Sequence, residues 1–200
     1  VDEHYFTADP AAPFTRTTVE AEVWGHRLRL VTGAGVFAQG RVDQGTAVLF
    51  RATDAPSSGS SFLDLGCGYG VLATALALAR PEATVWAVDV NRRALLLATE
   101  NAVVAGVEER VRTAEPDAVP GETTFDEIWS NPPIRIGKEA LHALLLRWLP
   151  RLRPGGRAVL VVGKNLGADS LQRWLDQQGW AATRVASAKG FRVLEVRRRD

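Results

Sequence analysis

Between residues 19 and 30 apolar and charged side chains alternate. Val19, Ala21 and Val23 interleave with Glu20 and Glu22, and after Gly25-His26 come Arg27, Leu28, Arg29 and Leu30. A period of two predicts an antiparallel hairpin with one buried face. A two-residue loop at Gly25-His26, of type II′, would pair Val23 with Leu28, Ala21 with Leu30 and Glu22 with Arg29. From Asp43 or Thr46 a short helix is expected through Ala47-Val48-Leu49-Phe50.

Beyond residue 61 strands and helices alternate. Ser61 to Leu65 reads as a buried strand, followed by a glycine loop and a helix over Val71–Ala79. Thr84–Val88 is a second strand. A helix over Arg92–Ala105 follows, capped by Asn91 and closed by Gly106. A weak third strand lies at Val111–Thr113, a fourth at Phe125–Ser130, and a long helix runs over Lys138–Leu149 before Pro150. Pro154-Gly155-Gly156 is expected to turn into the most apolar strand, Ala158–Val162. A helix over Ser170–Gln178 ends at Gly179, and strands near 181–187 and 191–197 form an antiparallel pair around Lys189-Gly190. Repeated β-α-β units imply an α/β fold: a seven-stranded, mostly parallel sheet with helices on both faces, plus an N-terminal hairpin and helix. The linker-like stretches at 10–13 and 55–60 divide residues 1–56 from a main domain at 57–200.

At 200 residues, 46% apolar and 24% charged, the chain is long enough for one well-packed core. No apolar run approaches the roughly 20 residues of a spanning helix, and the first residues lack a basic-then-apolar leader. A cytoplasmic protein without a membrane role is therefore expected. The single cysteine, Cys67, excludes an intramolecular disulfide and a multi-cysteine metal cluster, and no metal site is expected. The net charge of +1 hides an asymmetry. Residues 1–134 hold 10 basic and 18 acidic side chains (net −8), and residues 135–200 hold 14 and 5 (net +9). A basic C-terminal third points to a polyanionic partner; the plain alternative is that arginine is simply abundant.

Three motifs carry candidate chemistry. The first is Asp64-Leu65-Gly66-Cys67-Gly68-Tyr69-Gly70. Its glycines allow a sharp turn and close approach of a ligand to backbone N–H groups. The dinucleotide fingerprint calls for a glycine at position 71, where Val71 stands; here the third glycine is Gly70. Asp64, just ahead of the loop, would repel a pyrophosphate and welcome a cationic ligand. A mere tight turn is the alternative, and Cys67 reads as a small packing residue. The second is Asp89, whose carboxylate at a strand end suits ribose hydroxyls, or else shares a helix cap with Asn91. The third is Ser130-Asn131-Pro132-Pro133-Ile134. Consecutive prolines remove two N–H donors and hold Asn131 and Pro132 extended. The Asn131 side-chain oxygen and the Pro132 carbonyl then form a stiff acceptor pair suited to a planar NH₂ group; an ordinary Pro-Pro turn is the alternative.

Together these residues resemble the class I S-adenosylmethionine-dependent methyltransferases, among which Asn-Pro-Pro-x marks amino-group methylation. Ile134-Arg135-Ile136-Gly137-Lys138, Lys164-Asn165-Leu166-Gly167-Ala168, and Gly35-Val36-Phe37 with Val42-Asp43-Gln44-Gly45-Thr46 are similar to the methyltransferase small domain family. That family includes small-subunit ribosomal RNA guanine-N2 methyltransferases of the C type. The resemblance runs from His4-Tyr5-Phe6 to the last strand. Several of those enzymes carry a second, degenerate domain ahead of the catalytic one, where this chain has the hairpin.

The resemblance implies that Asp64, Gly66, Gly68 and Gly70 hold the methionine moiety of S-adenosylmethionine, Asp89 its ribose, and Ala114 to Asp117 its adenine. Phe37, Asp43 and Thr46 would close over the methionine end as a lid. Asn131, Pro132, Pro133 and Ile134 would form the catalytic turn beside the cofactor, with Ile134 an apolar wall that favours guanine. Arg135, Lys138 and Lys164 would rim the pocket and contact ribosomal RNA or the small ribosomal subunit. The Arg197-Arg198-Arg199 run reads as a charged terminus, and His4, His26 and His142 receive no chemistry. The rival readings are methylation of a glutamine amide or of DNA adenine, a non-catalytic RNA-binding module, and a nicotinamide oxidoreductase. Val71 and Asp64 disfavour the last.

Overall fold

A computed structural model describes residues 15–36, 40–133 and 136–199. The chain starts with a hairpin, β1 (Arg16–Val23) and β2 (His26–Gly33), and a helix, α1 (Gln44–Ala52). There follow β3 (Ser61–Leu65), α2 (Val71–Ala79), β4 (Thr84–Val88), α3 (Arg92–Val104), β5 (Val111–Ala114) and β6 (Phe125–Ser130). The last elements are α4 (Lys138–Trp148), β7 (Leu152–Gly163), α5 (Ala168–Gln177), β8 (Trp180–Ala188) and β9 (Phe191–Arg198). Seven strands form one sheet in the order β5-β4-β3-β6-β7-β9-β8, parallel except for β9, which pairs antiparallel with both neighbours.

The strand sequences explain the layering. Successive side chains leave a strand on opposite faces, so Trp129, Val159, Val161 and Val193 join one core while Ile128, Leu160, Val162 and Leu194 join the other. The first core is roofed by α2 and α3, with α1 and the hairpin packed against it; α4 and α5 cover the second. Helix α2 is apolar almost all round, with Val71 through Ala77 buried. Such a helix needs cover on both sides: the sheet lies beneath it, and β2 lies against it and α3. Chain order reverses at β3, whose neighbours are β4 on one side and β6 on the other. That switch point opens a crevice at the strands' carboxyl ends.

Two expectations are corrected. In the hairpin, Val23 pairs with His26, Glu22 with Arg27 and Ala21 with Leu28, so the register is displaced by two residues and the turn is Trp24-Gly25. Both central residues have positive φ (49° and 81°), a type I′ turn whose twist matches the strands. A two-residue shift keeps every side chain on its face and keeps Glu22 opposite an arginine, so alternation cannot choose between the registers. Packing chooses: Trp24 meets Phe50 and Trp129 edge-on, with ring centroids 5.1 and 5.5 Å away, and its indole N–H donates to the Thr53 carbonyl. The second correction is Pro154-Gly155-Gly156, which lies inside β7 as a bulge. Leu152 pairs with Phe125, and pairing resumes at Arg157 with Glu127. A side chain at Gly156 would lie 2.7 Å from the Asp126 carbonyl, so the bulge requires glycine there.

Candidate active site

The glycine loop between β3 and α2 is built from its own backbone. The Gly66 and Cys67 N–H groups donate to the Val88 carbonyl (2.8 and 3.0 Å), and Gly68 N–H donates to Asp89 Oδ2 (2.9 Å). Gly66, Gly68 and Gly70 all have positive φ. Space decides what each glycine is for. A side chain at Gly70 would collide with Ala98 of α3 at 2.9 Å, one at Gly66 would touch Pro133 at 3.5 Å, and one at Gly68 would meet nothing within 4 Å. Gly70 therefore serves helix packing, whereas at Gly66 the contact would be an ordinary one and at Gly68 the space is open, so there the positive φ calls for glycine.

Asp64, in the middle of the β3 apolar run, is buried. Its Oδ2 accepts from Ala73 N–H (2.9 Å), in the first turn of α2, where a negative charge complements the helix dipole and Gly70 offers no capping side chain. Its Oδ1 is buried without a partner among the described residues. Burial pushes its carboxyl up to about 8; the Ala73 bond opposes this and the Asp89 charge adds to it. A buried carboxylate oxygen left unsatisfied is costly. It fits a site completed by a ligand carrying N–H groups or positive charge. Asp89, half-buried at the end of β4, has Oδ1 fixed by Asn91 N–H (2.9 Å) and Oδ2 by Gly68 N–H. Burial raises its carboxyl too, against those amide bonds. Each oxygen keeps a lone pair for an external hydroxyl donor. Burial, with the charges of Asp89 and Asp64, drives the Cys67 thiol well above its ordinary value, so it is no nucleophile.

Across the crevice stands the Asn-Pro-Pro turn. Ser130 is buried and its hydroxyl donates to the Leu65 carbonyl (2.6 Å), fastening the end of β6 to that of β3. The Asn131 NH₂ donates to Asp43 Oδ2 (2.7 Å) and Thr46 Oγ1 (3.1 Å). A carboxylate only accepts, so Asp43 dictates which end of the Asn131 amide faces it. Asp43 also caps α1 through Gly45 N–H and Thr46 N–H (2.7 and 3.2 Å). The Asn131 Oδ1 and the Pro132 carbonyl receive no donor among the described residues. Asp43 and Thr46, expected as a lid over the methionine end of a cofactor, are thus brought onto Asn131 itself.

The remaining expected residues are less concentrated. Ala114 ends β5 opposite Val88, and its carbonyl accepts from Asp89 N–H (3.3 Å). The Asp117 carboxylate is exposed and held by Arg147 of α4 (2.8 Å). Lys138 opens α4 and Lys164 follows β7, both exposed at the same edge of the sheet. Phe37, Ile134 and Arg135 lie outside the described residues. One supporting residue was missed. Asn101 is fully buried: its NH₂ donates to the Val31 and Tyr69 carbonyls (both 2.8 Å), and its oxygen accepts from Val31 N–H (2.6 Å). It ties hairpin, glycine loop and α3 together. A lone asparagine on the inner face of an apolar helix was the available signal, since buried amides are seldom left unpaired.

Comparison with known proteins places this geometry. The family model "Methyltransferase small domain" matches residues 27–195. A Bacillus subtilis (strain 168) protein named YbxB is 31% identical over 206 residues, 99% of this chain and all of its own length. Ribosomal RNA small subunit methyltransferase C of Pseudomonas entomophila is 35% identical over 86% of this chain; the chain spans 51% of that protein's length. Among solved structures, the T. thermophilus 16S rRNA guanine-N2 methyltransferase RsmC, in complex with AdoMet and guanosine, superposes with a TM-score of 0.75 at 25% identity. That match covers 95% of this chain and 52% of the other.

Proposed function

The chain belongs to the methyltransferase small domain family, and on that premise we propose that it transfers a methyl group from S-adenosylmethionine to guanine N2 in small-subunit ribosomal RNA. The observation that carries this reading is the clamped Asn131 amide, whose oxygen is turned away from Asp43 and Thr46 beside the glycine loop. Its support from relatives is the C-type methyltransferases and the RsmC structure.

Asp64 and the Gly66–Gly68 backbone would hold the methionine end of the cofactor, Asp89 the ribose, and the Ala114–Asp117 segment the adenine. When bound, S-adenosylmethionine supplies an electrophilic methyl group on a sulfonium. An exocyclic amine is a poor nucleophile because its lone pair is delocalised into the ring. Asn131 Oδ1 and the Pro132 carbonyl accept its two N–H bonds, favour a pyramidal nitrogen, and aim the lone pair at the cofactor side. The proline pair keeps those acceptors fixed, so little reorganisation accompanies the reaction. The proton that the alkylated nitrogen sheds passes to water. The target base is unstacked to reach the crevice. In this reading residues 57–200 carry the cofactor, residues 1–56 supply the clamp and lid, and the ribosomal substrate places the protein in the cytoplasm.

The test is tritiated methyl transfer, in parallel, to small ribosomal subunits, free ribosomal RNA, DNA and release factors, followed by nucleoside or amino-acid analysis. N2-methylguanosine in RNA is the expected product. Label in glutamine or in N6-methyladenine would overturn the reading.

A further inference from the structure

The excess positive charge of residues 135–200 does not spread evenly over the surface. Among the described residues Arg153, Arg157 and Arg197, at the amino end of the sheet, are all paired with carboxylates. Lys164, Arg173, Arg184 and Lys189 have no ion pair or side-chain hydrogen bond with any described residue. Arg173 and Arg184 line one cleft, and Lys164 lies against the turn that carries Lys189. The last pair between β6 and β7 is Ser130 with Leu160, yet β7 continues to Gly163, opposite Phe191. Three further residues at about 3.3 Å each make β7 and β9 overhang the Asn131 turn by roughly 10 Å. Lys164 N–H donates to the Gly190 carbonyl (2.7 Å), which sets Lys164 against the turn that carries Lys189. Phe191, next in that turn, packs so closely on α1 that a side chain at Gly45 would lie 3.0 Å from its ring. Gly45 follows the Asp43 that holds Asn131 by only two residues.

From this overhang a cleft of about 630 Å³ runs between α5 and the edge strand β8, lined by Asp169, Gln172, Arg173, Asp176, Arg184 and Arg192. Its two acids are already engaged. Asp169 pairs with Arg192, and Asp176 accepts from Arg199 and from Ala182 N–H. The cleft is therefore left with the exposed guanidinium groups of Arg173 and Arg184 as uncompensated charge. Their planar forks match phosphate oxygens.

We infer that Lys164, Lys189, Arg184 and Arg173 form a docking track for an RNA phosphodiester backbone, leading from the α5–β8 cleft over the β7–β9 overhang to the Asn131 turn. The inference rests on the proposed RNA substrate and adds where that RNA lies. The track contacts phosphates, so it contributes affinity and orientation without reading sequence.

The test compares two triple neutralisations with the parent: Arg173→Gln/Arg184→Gln/Lys189→Gln on the track, and Arg27→Gln/Arg29→Gln/Arg51→Gln on the hairpin and α1. The probe is a small-subunit ribosomal RNA transcript titrated from 50 to 300 mM KCl, with S-adenosylmethionine affinity measured by calorimetry. The track variant is expected to bind RNA roughly tenfold more weakly at the lowest salt. Its slope of log K against log[salt] should fall by about 2, because each lost phosphate contact removes about 0.7 to 0.9. Cofactor affinity should be retained and the KM for RNA should rise. The hairpin variant should keep the parent's slope. Equal slopes in all three proteins, or equal losses in both variants, would overturn the track while leaving guanine methylation intact. RNA binding that depends on the track, with label found only in DNA or protein, would overturn the substrate instead.

Discussion

The two ends of the central sheet use the same residue types to opposite effect. At the amino end Asp126 accepts from Ser60 N–H and Ser61 N–H (2.7 and 3.0 Å), and one Arg153 nitrogen, Nη1, donates to both of its carboxylate oxygens (3.0 and 2.9 Å). Those bonds outweigh its partial burial and hold its carboxyl below the usual value. Arg157 bridges Glu127 and Glu195 close by. At the carboxyl end Asp64 is buried with one amide bond and one orphan oxygen, and its carboxyl is pushed up to about 8. Asp89 is raised as well. The Asp126 and Glu127 carboxylates are paired with arginines and stabilise the fold, whereas Asp64 keeps a buried oxygen that a ligand could engage. An unsatisfied buried carboxylate, rather than charge as such, distinguishes the candidate working end from the other.

The linkage signs of the two aspartates are opposite. Asp64 is raised above its unfolded value, so the native state binds more protons between about pH 4 and pH 8, and its contribution to stability falls as pH rises through that window. Asp126 is depressed, so its contribution is present above the unfolded value near 4 and is lost as pH falls below it.

The contrast can be broken most sharply at the working end. Asn131→Ala should cut methyl transfer on the order of 10²-fold or more while S-adenosylmethionine binding survives, since one preorganised acceptor is removed. Unchanged single-turnover rates would take Asn131 out of the chemistry. Next in size is Asp64→Asn. Cofactor affinity of the parent should rise between pH 6 and 8 as Asp64 ionises, then level off; the variant should bind about tenfold or more weakly at pH 8, with a flat profile by calorimetry. The same variant should melt higher than the parent at pH 8, because a buried charge is gone. At the structural end, Asp126→Ala should lower stability by about 1–3 kcal/mol, read from urea midpoints at pH 7, with methyl transfer unaltered. The smallest effect belongs to Thr46→Val. It removes the weaker of two bonds on the Asn131 amide and should lower kcat about fivefold, roughly 1 kcal/mol, with no change in melting temperature. A loss confined to cofactor affinity would make Thr46 a cofactor contact alone.

The bounds of β3, α2, β4 and β6 were legible from apolar runs and glycine punctuation, because those elements are buried by their own local pattern. The candidate site was legible where it rests on chain-local chemistry: three glycines, a strand-ending acid, and an asparagine ahead of two prolines. The hairpin register was not. Alternation tolerates a slip of two, and the choice lay with Trp24 and its contacts to Phe50 and Trp129, 26 and 105 positions away in the chain.

What the amino-acid order determined alone is the alternation of strands and helices, the rigid Asn-Pro-Pro acceptors, and the division of charge at residue 134. Backbone propensity, proline geometry and composition act over a few residues. What only the tertiary structure decided is who meets whom: Asp43 and Thr46 upon Asn131, Asn101 between loop and hairpin, Lys164 beside the Lys189 turn. Those contacts join segments separated by up to 88 residues, and no local rule encodes them, because they form only when two cores close on opposite faces of one sheet.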